Sequence, residues 1–334
     1  MRGGKAVNSG TCGETPAAAV AIVTRTKDRP LLLERCINTV LDQTFHDWIH
    51  AIVNDGGEPG PVDEFAAKHA QRYAGRLIVI HKETSVGMEA AANIGVRATQ
   101  SKYIVVLDDD DTWDPTFLSK VVTALEARET DDVKGVICHT DHVYERLVGR
   151  EIIEERRVDF NGTMATVDLA RLIARNRFTP VSFLFERSAM EVVGMFNEAL
   201  PVCGDWDFNI RFASQFEIAV VREKLAYYHQ RCAARDAYGN TVHAGWEDHQ
   251  KYRVRMSNQW LRQALSTGAI SVAEIFLLSN VIESYERLER EIAHLRRRGP
   301  LRRLWRALRG RLKRRRRQNA GRAFRPPPPG AGRG

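Results

Sequence analysis

The chain has 334 residues, of which 43% are hydrophobic and 28% are charged, and its formal net charge is +8. No run approaches the roughly 20 apolar residues that a membrane-spanning helix needs, and residues 1–16 lack an apolar signal core, so we expect a globular, cytoplasmic protein. Sixteen Lys and Arg residues and no acidic ones stand at positions 296–334, so the tail is strongly basic and the rest of the chain is net acidic.

Short apolar runs alternate with amphipathic segments through the first third of the chain. The runs that predict β-strands are Ala19–Thr24, Ile49–Val53, Leu77–Ile80 and Tyr103–Leu107. Helical patterns separate them, including one at Val62–Tyr73. This order predicts an α/β fold with a doubly wound, mostly parallel sheet, whose ligands bind beyond the carboxyl ends of the strands.

The next hundred residues continue the same domain. A helix is predicted between Pro115 and Ala127, and the charged stretch Asp141–Phe160 predicts a hairpin. The remaining elements are a helix that begins at Gly204 and strands near Val136–His139, Val181–Phe185, Ile218–Val221 and Leu225–Tyr228.

The pattern beyond Ala237 is helical and ends in a short heptad seam. Its apolar residues recur at spacings of three and four over fewer than three heptads: Leu278, Val281, Tyr285, Leu288, Ile292 and Leu295. The seam predicts either a helix that packs on its own domain or a short coiled coil that forms a homodimer.

Four consecutive aspartates, Asp108–Asp111, follow directly on the fourth predicted strand. Carboxylates packed at a strand end repel one another unless a cation offsets their charge, and their hard oxygens suit Mg²⁺ or Mn²⁺. The alternative is a solvated acidic turn, or a helix start at which Asp111 is the cap.

Six motifs in this order resemble the inverting glycosyltransferases of family two, over roughly Val20 to Arg231. They are TRTKDRP after the first strand, Gln43-Thr44-Phe45, NDGG after the second strand, SVGMEAAANIGV, YIVVLDDDDTWDP and GDWDFNIR. The resemblance implies a GT-A fold, a doubly wound, Rossmann-like nucleotide-binding sheet, and a nucleotide-sugar donor.

The resemblance also implies residue roles in donor binding. Asp55 matches the acid that hydrogen-bonds the nucleotide base. Without the other motifs, Asp55 and Gly56 would predict only an Asp-Gly turn. Thr24 and Thr26 match the edge of the nucleotide pocket. Asp110 is predicted to contact the metal. Asp108 and Asp109 are predicted to contact the metal, the ribose or the donor sugar. The sequence does not show which of the two makes which contact.

A base must accept the proton of the attacking acceptor hydroxyl in an inverting transfer. Asp205 matches the family's catalytic acid residue, with Asp207 as the runner-up, and its alternative role is to cap a helix. The sequence departs from the family at Gly204, where a glutamate is usual.

Two further positions concern the diphosphate and the metal. Many relatives have an arginine at the position of Ala92. His229 is the nearest match to a histidine that joins the metal in many relatives, and Arg231 is equally able to reach the diphosphate.

The basic tail carries an amphipathic pattern. Its apolar residues share one helical face with arginines around it: Leu301, Leu304, Trp305, Leu308 and Leu312. This pattern favours an interfacial helix on an anionic membrane surface. The alternatives are a disordered basic end and contact with nucleic acid, which is not expected as a partner because no recognised nucleic-acid module accompanies the tail.

Together these features predict a metal-dependent, inverting glycosyltransferase with a UDP- or dTDP-sugar donor and a glycan or lipid-linked acceptor in cell-envelope polysaccharide synthesis. We expect it at the inner face of a membrane, as a peripheral protein. The expected organisation is a flexible N-terminus (1–18), a catalytic domain (19–235), a helical extension (236–298) and a basic tail (299–334). The alternative is a noncatalytic nucleotide-binding scaffold.

Overall fold

The computed structural model describes residues 6–7, 17–231, 238–239 and 246–298, and ten strands within these residues form one mixed sheet. The strands are β1 (Ala6–Val7), β2 (Ala17–Thr26), β3 (Trp48–Asn54), β4 (Leu77–His81), β5 (Gln100–Val106), β6 (Thr112–Trp113), β7 (Val133–Val148), β8 (Glu151–Asp159), β9 (Phe183–Glu186) and β10 (Glu217–Gln230). Their order across the sheet is β1-β4-β3-β2-β5-β9-β7-β10-β6, and β8 pairs with β7 outside this path.

The strand directions place several carboxyl ends at one edge of the sheet. Strands β4, β3, β2 and β5 are mutually parallel, and β9 lies antiparallel between β5 and β7. Strand β10 is parallel to β7. Strands β2, β3, β5, β7 and β10 therefore all end at the same edge, where the ligand is expected in a sheet of this type.

The helices of the first unit connect these strands. They are α1 (Pro30–Leu41), α2 (Pro59–Lys68), α3 (Ala70–Tyr73), α4 (Met88–Arg97), α5 (Phe117–Glu126), α6 (Leu169–Ala174), α7 (Ala189–Val193) and α8 (Gly204–Ala213), with a 3-10 helix at Pro180–Ser182. Both α1 and α2 begin at a proline, which suits the first turn because its N–H groups have no partner within the helix.

The core lies around the parallel strands. Val20, Ile22 and Val105 are fully buried. Because both faces of these strands are covered, they read as continuous apolar runs and not as alternating patterns. Gly95 on α4 lets this helix approach β2 closely, since a Cβ there would collide with the side chain of Val23.

Three sequence expectations differ from the observed elements. The strand expected near Val181–Phe185 is shorter at its start, because residues 180–182 form the 3-10 helix and β9 begins at Phe183. The helix expected at Val62–Tyr73 is two helices, α2 and α3, which meet at His69. The two strands expected at Ile218–Val221 and Leu225–Tyr228 are one strand, β10, whose pairing with β7 shifts register on both sides of Lys224. The charged stretch forms the hairpin β7–β8, as predicted.

The chain divides into two units, Met1–Arg255 and Met256–Gly334. Beyond residue 239 the structure describes two helices, α9 (Trp246–Ser266) and α10 (Val272–Arg298). The seam residues Val281 and Tyr285 on α10 are exposed. Among the described residues, no helix is long and apolar enough to cross a membrane. The predicted tail helix lies outside the described residues.

Candidate active site

The four aspartates lie at the ligand-binding edge, immediately after β5. The backbone N–H of Asp111 donates to the carbonyl of Asp108 over 3.0 Å and closes a tight turn. Strand β6 follows and pairs antiparallel with β10, with Thr112 opposite Tyr227. This pairing brings the end of β10 against the run Asp108–Asp111.

The four carboxyl groups do not share one environment. Asp109 and Asp111 are fully buried, and Asp108 is the most accessible of the four. Burial raises the pKa of Asp109 to about 7 and that of Asp111 well above its ordinary value. Burial also acts on Asp110, but nearby arginines outweigh it and lower the pKa of this carboxyl.

The end of β2 and the loop after it supply two of the cations that offset this charge. Arg25 donates to both carboxylate oxygens of Asp108, from Nε over 2.7 Å and from Nη2 over 3.3 Å. Arg29 contacts two carboxylates, with Nη2 at 2.8 Å from Oδ1 of Asp109 and Nη1 at 3.4 Å from Oδ2 of Asp110. Both arginines belong to the TRTKDRP motif.

A second group of charges forms around Glu145 on β7, and we call Glu145, Arg35, His229 and Arg231 the Glu145 cluster. Nη1 of Arg35 donates to Oε2 of Glu145 over 2.7 Å, and Nη1 of Arg231 donates to Oε1 over 2.6 Å. Burial favours the neutral acid, but hydrogen bonds from His229 and Arg35 outweigh it and lower the pKa of Glu145 to about 2. Arg231 also donates to Asp110 and so joins the cluster to the acidic run.

Both ring nitrogens of His229 have partners inside the protein. Nδ1 lies 2.7 Å from Oε2 of Glu145, and Nε2 lies 2.8 Å from Oγ1 of Thr112. Its backbone N–H donates to Asp111 over 2.9 Å, so this carboxylate holds β10 and does not cap α5, which begins at Phe117. His229 therefore lies beside the acidic run, and its ring contacts Glu145 in the Glu145 cluster.

Asp55 organises the loop in front of α4. Its carboxylate accepts three hydrogen bonds: from Ser85 Oγ over 2.7 Å, from the N–H of Val86 over 2.7 Å and from the N–H of Gly87 over 3.0 Å. The next residue, Gly56, has φ +75° and lies so close to the Ser85 backbone that a Cβ would collide with it. The turn is therefore specific to glycine, and the carboxylate is held at the edge of the sheet.

The two threonines of β2 differ in position. Thr24 is fully buried, and its hydroxyl lies 2.9 Å from Nε2 of His50, away from the acidic run. The hydroxyl of Thr26 donates to Oδ2 of Asp109 over 2.6 Å. The structure therefore brings Thr26 to the site and places Thr24 in the core beneath it.

Asp205 is the second residue of α8 and is half-buried. Asn176 Nδ2 donates to its Oδ2 over 2.8 Å. Burial raises the pKa of Asp205, while Arg25 lowers it and Asp108 raises it further. The charges of both Arg25 and Asp108 therefore act on Asp205, and its role as a base stays a prediction.

Glu89, near the start of α4, is the fourth member of that neighbourhood, and we call Glu89, Arg25, Asp108 and Asp205 the Glu89 cluster. Glu89 is 4% exposed, and its Oε1 lies 3.6 Å from Nη1 of Arg25. Burial raises its pKa to about 7, against the opposing effect of Arg25. At neutral pH this carboxyl is therefore close to its protonation midpoint.

The donor set fits a divalent cation in a limited way. The described residues contain no group of three or more His, Cys, Asp or Glu side chains that converge on one point. A Mg²⁺-like ion needs only one or two protein carboxylates when phosphate oxygens and water complete its shell. Asp108 and Asp110 can supply that number of carboxylates, but arginines contact both in this structure, and a bound cation would have to displace those contacts. Both ring nitrogens of His229 are likewise engaged.

Five charged residues of the site were not predicted from the sequence: Arg25, Arg29, Arg35, Glu89 and Glu145. Arg25 stands at the carboxyl end of β2 and Arg29 follows it, so the placement at a strand end that selected Asp55 applies to them as well. Arg35 and Glu145 lie within regular elements that pair with distant parts of the chain, and no local signal marks them.

Comparison with known proteins gives a family match and several relatives. A family model described as glycosyl transferase family 2 matches residues 20–191. A PGL/p-HBAD biosynthesis glycosyltransferase of Mycobacterium bovis (strain BCG / Pasteur 1173P2) is 26% identical over 196 residues, which cover 58% of this chain and 70% of that protein. An uncharacterized glycosyltransferase of Nostoc sp. is 28% identical over 244 residues, 70% of this chain and 71% of that protein.

Solved structures of S. aureus TarS share the fold. TarS 1–349 superposes with a TM-score of 0.51 at 15% identity, over 63% of this chain and 60% of the TarS chain. The same protein in complex with UDP-GlcNAc gives a TM-score of 0.52 at 14% identity, over 66% of this chain and 61% of the TarS chain. This chain thus matches about 60% of the length of the TarS chain.

Proposed function

Because the chain belongs to glycosyl transferase family 2 and is therefore a sugar-transferring enzyme with a GT-A fold, we propose that it is an inverting transferase that uses Asp205 as its base. The donor is a UDP- or dTDP-sugar and the acceptor a glycan or lipid-linked hydroxyl. The observation that carries the proposal is the Glu89 cluster, in which Arg25 holds Asp108 by two hydrogen bonds and its charge also acts on the Asp205 carboxyl.

Arginines near the acidic run supply the positive charge that a nucleotide-sugar requires, and a cleft lies beside them. Arg29 and Arg231 both contact Asp110, and guanidinium groups are suited to bind phosphate oxygens. A cleft of about 590 Å³ borders Arg231 and Glu145, within the range of small-molecule sites. TarS, which shares this fold, has been crystallised with UDP and with UDP-GlcNAc.

Asp108 and Asp110 would hold a Mn²⁺ or Mg²⁺ ion, which when bound supplies positive charge to the departing nucleoside diphosphate. Arg29 lies between Asp109 and Asp110, so it offsets the charge of the acidic run before a donor arrives. Thr26 donates a hydrogen bond to Asp109 and so holds this buried carboxyl in position.

Asp205 takes the proton of the acceptor hydroxyl in this proposal. The oxygen of that hydroxyl forms the new bond to the anomeric carbon while the bond to the nucleoside diphosphate breaks on the opposite face. Asn176 holds the Asp205 carboxylate by a hydrogen bond of 2.8 Å, which orients it for this role. The raised pKa of Asp205 makes it a stronger base than a solvated aspartate.

Asp55 supports the nucleotide side of the site. It holds the loop of Ser85 and Gly87 through three hydrogen bonds, and its carboxylate is kept at the edge where a base N–H can donate to it. The membrane-binding tail, the division into domains and the homodimer remain proposals that rest on the sequence patterns alone.

The first experiment is calorimetric titration of the full chain with UDP, dTDP and GDP, each with Mn²⁺ and with a chelator. We expect metal-dependent binding of UDP or dTDP that is lost in Asp110→Ala. Asp131→Ala, at a fully exposed position, is the control. Binding that is equal with chelator, or kept in Asp110→Ala, contradicts the metal site, and absence of binding by UDP and dTDP contradicts the proposed donor.

A further inference from the structure

Gly204, the first residue of α8, packs directly on the side chain of Glu89. A Cβ built on Gly204 would lie 2.5 Å from both Cγ and Oε1 of Glu89, and real Cβ atoms essentially never come closer than 3.0 Å to another group. Gly204 has an ordinary negative φ, so its backbone conformation does not require glycine. The available space does require glycine, because the carboxyl of Glu89 fills the volume that a side chain at position 204 would need.

The same carboxyl reaches the acidic run through one arginine. Oε1 of Glu89 lies 3.6 Å from Nη1 of Arg25, while Nε and Nη2 of Arg25 hold the two oxygens of Asp108. The Arg25 and Glu89 side chains are 11% and 4% exposed, so water screens this pair weakly. Contacts therefore run without a break from the start of α8, through Glu89 and Arg25, to Asp108.

We propose that Glu89 is a positioning residue for sugar transfer, because its carboxyl supports both Arg25, which holds Asp108, and the first turn of α8, which carries Asp205. Relatives with a glutamate at position 204 would carry this carboxyl on α8 itself. In this chain it comes from α4, and glycine at 204 leaves room for it. The inference rests on the proposed function and names a residue that acts within the same site.

A purely structural role does not account for a carboxyl at this position. An apolar side chain would fill the space against Gly204 without the cost of burying a charge. A buried carboxyl is instead expected where its charge orients a partner, and Arg25 is that partner. The pKa of Glu89, about 7, results from two opposing effects: burial raises it, and the charge of Arg25 lowers it.

The experiment measures release of nucleoside diphosphate from UDP-GlcNAc, dTDP-glucose and GDP-mannose with Mn²⁺, for the full chain and its variants. Glu89→Gln keeps the shape and removes the charge, so we expect kcat to fall about 10- to 100-fold with little change in KM and no loss of thermal stability. Glu83→Gln, at an exposed position before the same helix, is the matched control and keeps the wild-type rate.

The double variant Glu89→Ala/Gly204→Glu tests the shared space. Gly204→Glu alone collides with Glu89 and loses activity or stability. We expect the double variant to recover activity over Glu89→Ala, because a carboxyl returns to the same volume from α8. A folded double variant no better than Glu89→Ala, or a wild-type kcat in Glu89→Gln, overturns this inference alone. A wild-type chain that releases no nucleoside diphosphate from any donor overturns the proposed function and the inference with it.

Discussion

The Glu145 cluster and the Glu89 cluster lie at the same edge of the sheet, but their charges are balanced in opposite ways. In the Glu145 cluster one carboxylate accepts hydrogen bonds from two arginines and contacts a histidine, and its pKa is about 2. In the Glu89 cluster Arg25 contacts the carboxyl groups of Glu89 and Asp108, and burial raises the pKa of Glu89 to about 7. The first arrangement keeps the Glu145 carboxylate charged, and the second allows Glu89 to exchange a proton near neutral pH.

The difference indicates a structural role for the Glu145 cluster and a role in sugar transfer for the Glu89 cluster. The Glu145 cluster is brought together by strand pairing, since β10 runs parallel to β7 with His229 opposite Val143. The Glu89 cluster is built partly from helix N-termini, because Glu89 and Asp205 lie in the first turns of α4 and α8. Substitutions in the two clusters should therefore have opposite consequences for stability and for activity.

The largest effect is expected for Asp205→Asn. The amide keeps the size of the side chain but cannot accept a proton, so transfer should fall about 10²- to 10⁴-fold while donor binding is kept. Steady-state release of nucleoside diphosphate in the presence of acceptor measures the loss, and calorimetry measures donor binding.

Asp207→Asn is the matched control for that experiment. Asp207 lies on the same helix, but its carboxylate is held 2.8 Å from Nη2 of Arg211 and is engaged in packing α8. A transfer rate that survives in Asp205→Asn and is lost in Asp207→Asn, with both variants folded, would make Asp207 the base.

Glu145→Gln should act on stability more than on chemistry. Arg231 is 1% exposed, so loss of the carboxylate removes one charge partner of a buried cation and leaves it with Asp110, at a cost of about 1.5–3 kcal/mol in the free energy of unfolding. Urea unfolding followed by circular dichroism measures it. Glu155→Gln, in an exposed pair with Arg146, should change the same quantity by less than about 1 kcal/mol. Equal effects of the two substitutions would contradict the rigid role of the Glu145 cluster.

The two clusters should also respond to pH with opposite signs. The pKa of Glu89 is raised on folding to about 7, so its stabilising contribution is complete below the ordinary pKa of a glutamate and is lost as pH rises through about 7. Arg25 opposes this shift, and the Asp205 and Asp108 carboxylates add to it. The pKa of Glu145 is lowered to about 2, so its contribution is present above the ordinary value and is lost as pH falls toward 2.

The measurement is unfolding free energy against pH for the wild type and Glu89→Gln. The substitution removes a carboxyl that is costly to ionise, so the stability of the variant relative to the wild type should rise between pH 5 and about pH 8. A difference that is independent of pH in this window would show that Glu89 does not titrate there.

The sequence predicted the parts of the site that depend on local pattern. Strand ends place Asp55 and Asp108 at one edge, and this placement together with the family and its GT-A fold is confirmed. The roles of Asp110, Asp205 and the metal remain predictions. The two clusters were not predicted, because Glu145 meets Arg231 only through the pairing of β10 with β7, and Glu89 meets Gly204 only through the packing of α4 beside α8.

The smallest expected effect concerns Thr112→Val and decides between two roles of His229. The substitution keeps the size of the side chain and removes the hydroxyl that lies 2.8 Å from Nε2 of His229. If His229 is a rigid member of the Glu145 cluster, the unfolding free energy should fall by about 1 kcal/mol and Mn²⁺-dependent UDP binding should not change. If His229 turns Nε2 to the metal when donor binds, loss of the competing hydroxyl should instead tighten Mn²⁺-dependent UDP binding. The structure favours the first result, because Glu145 holds Nδ1 at 2.7 Å and fixes the plane of the ring.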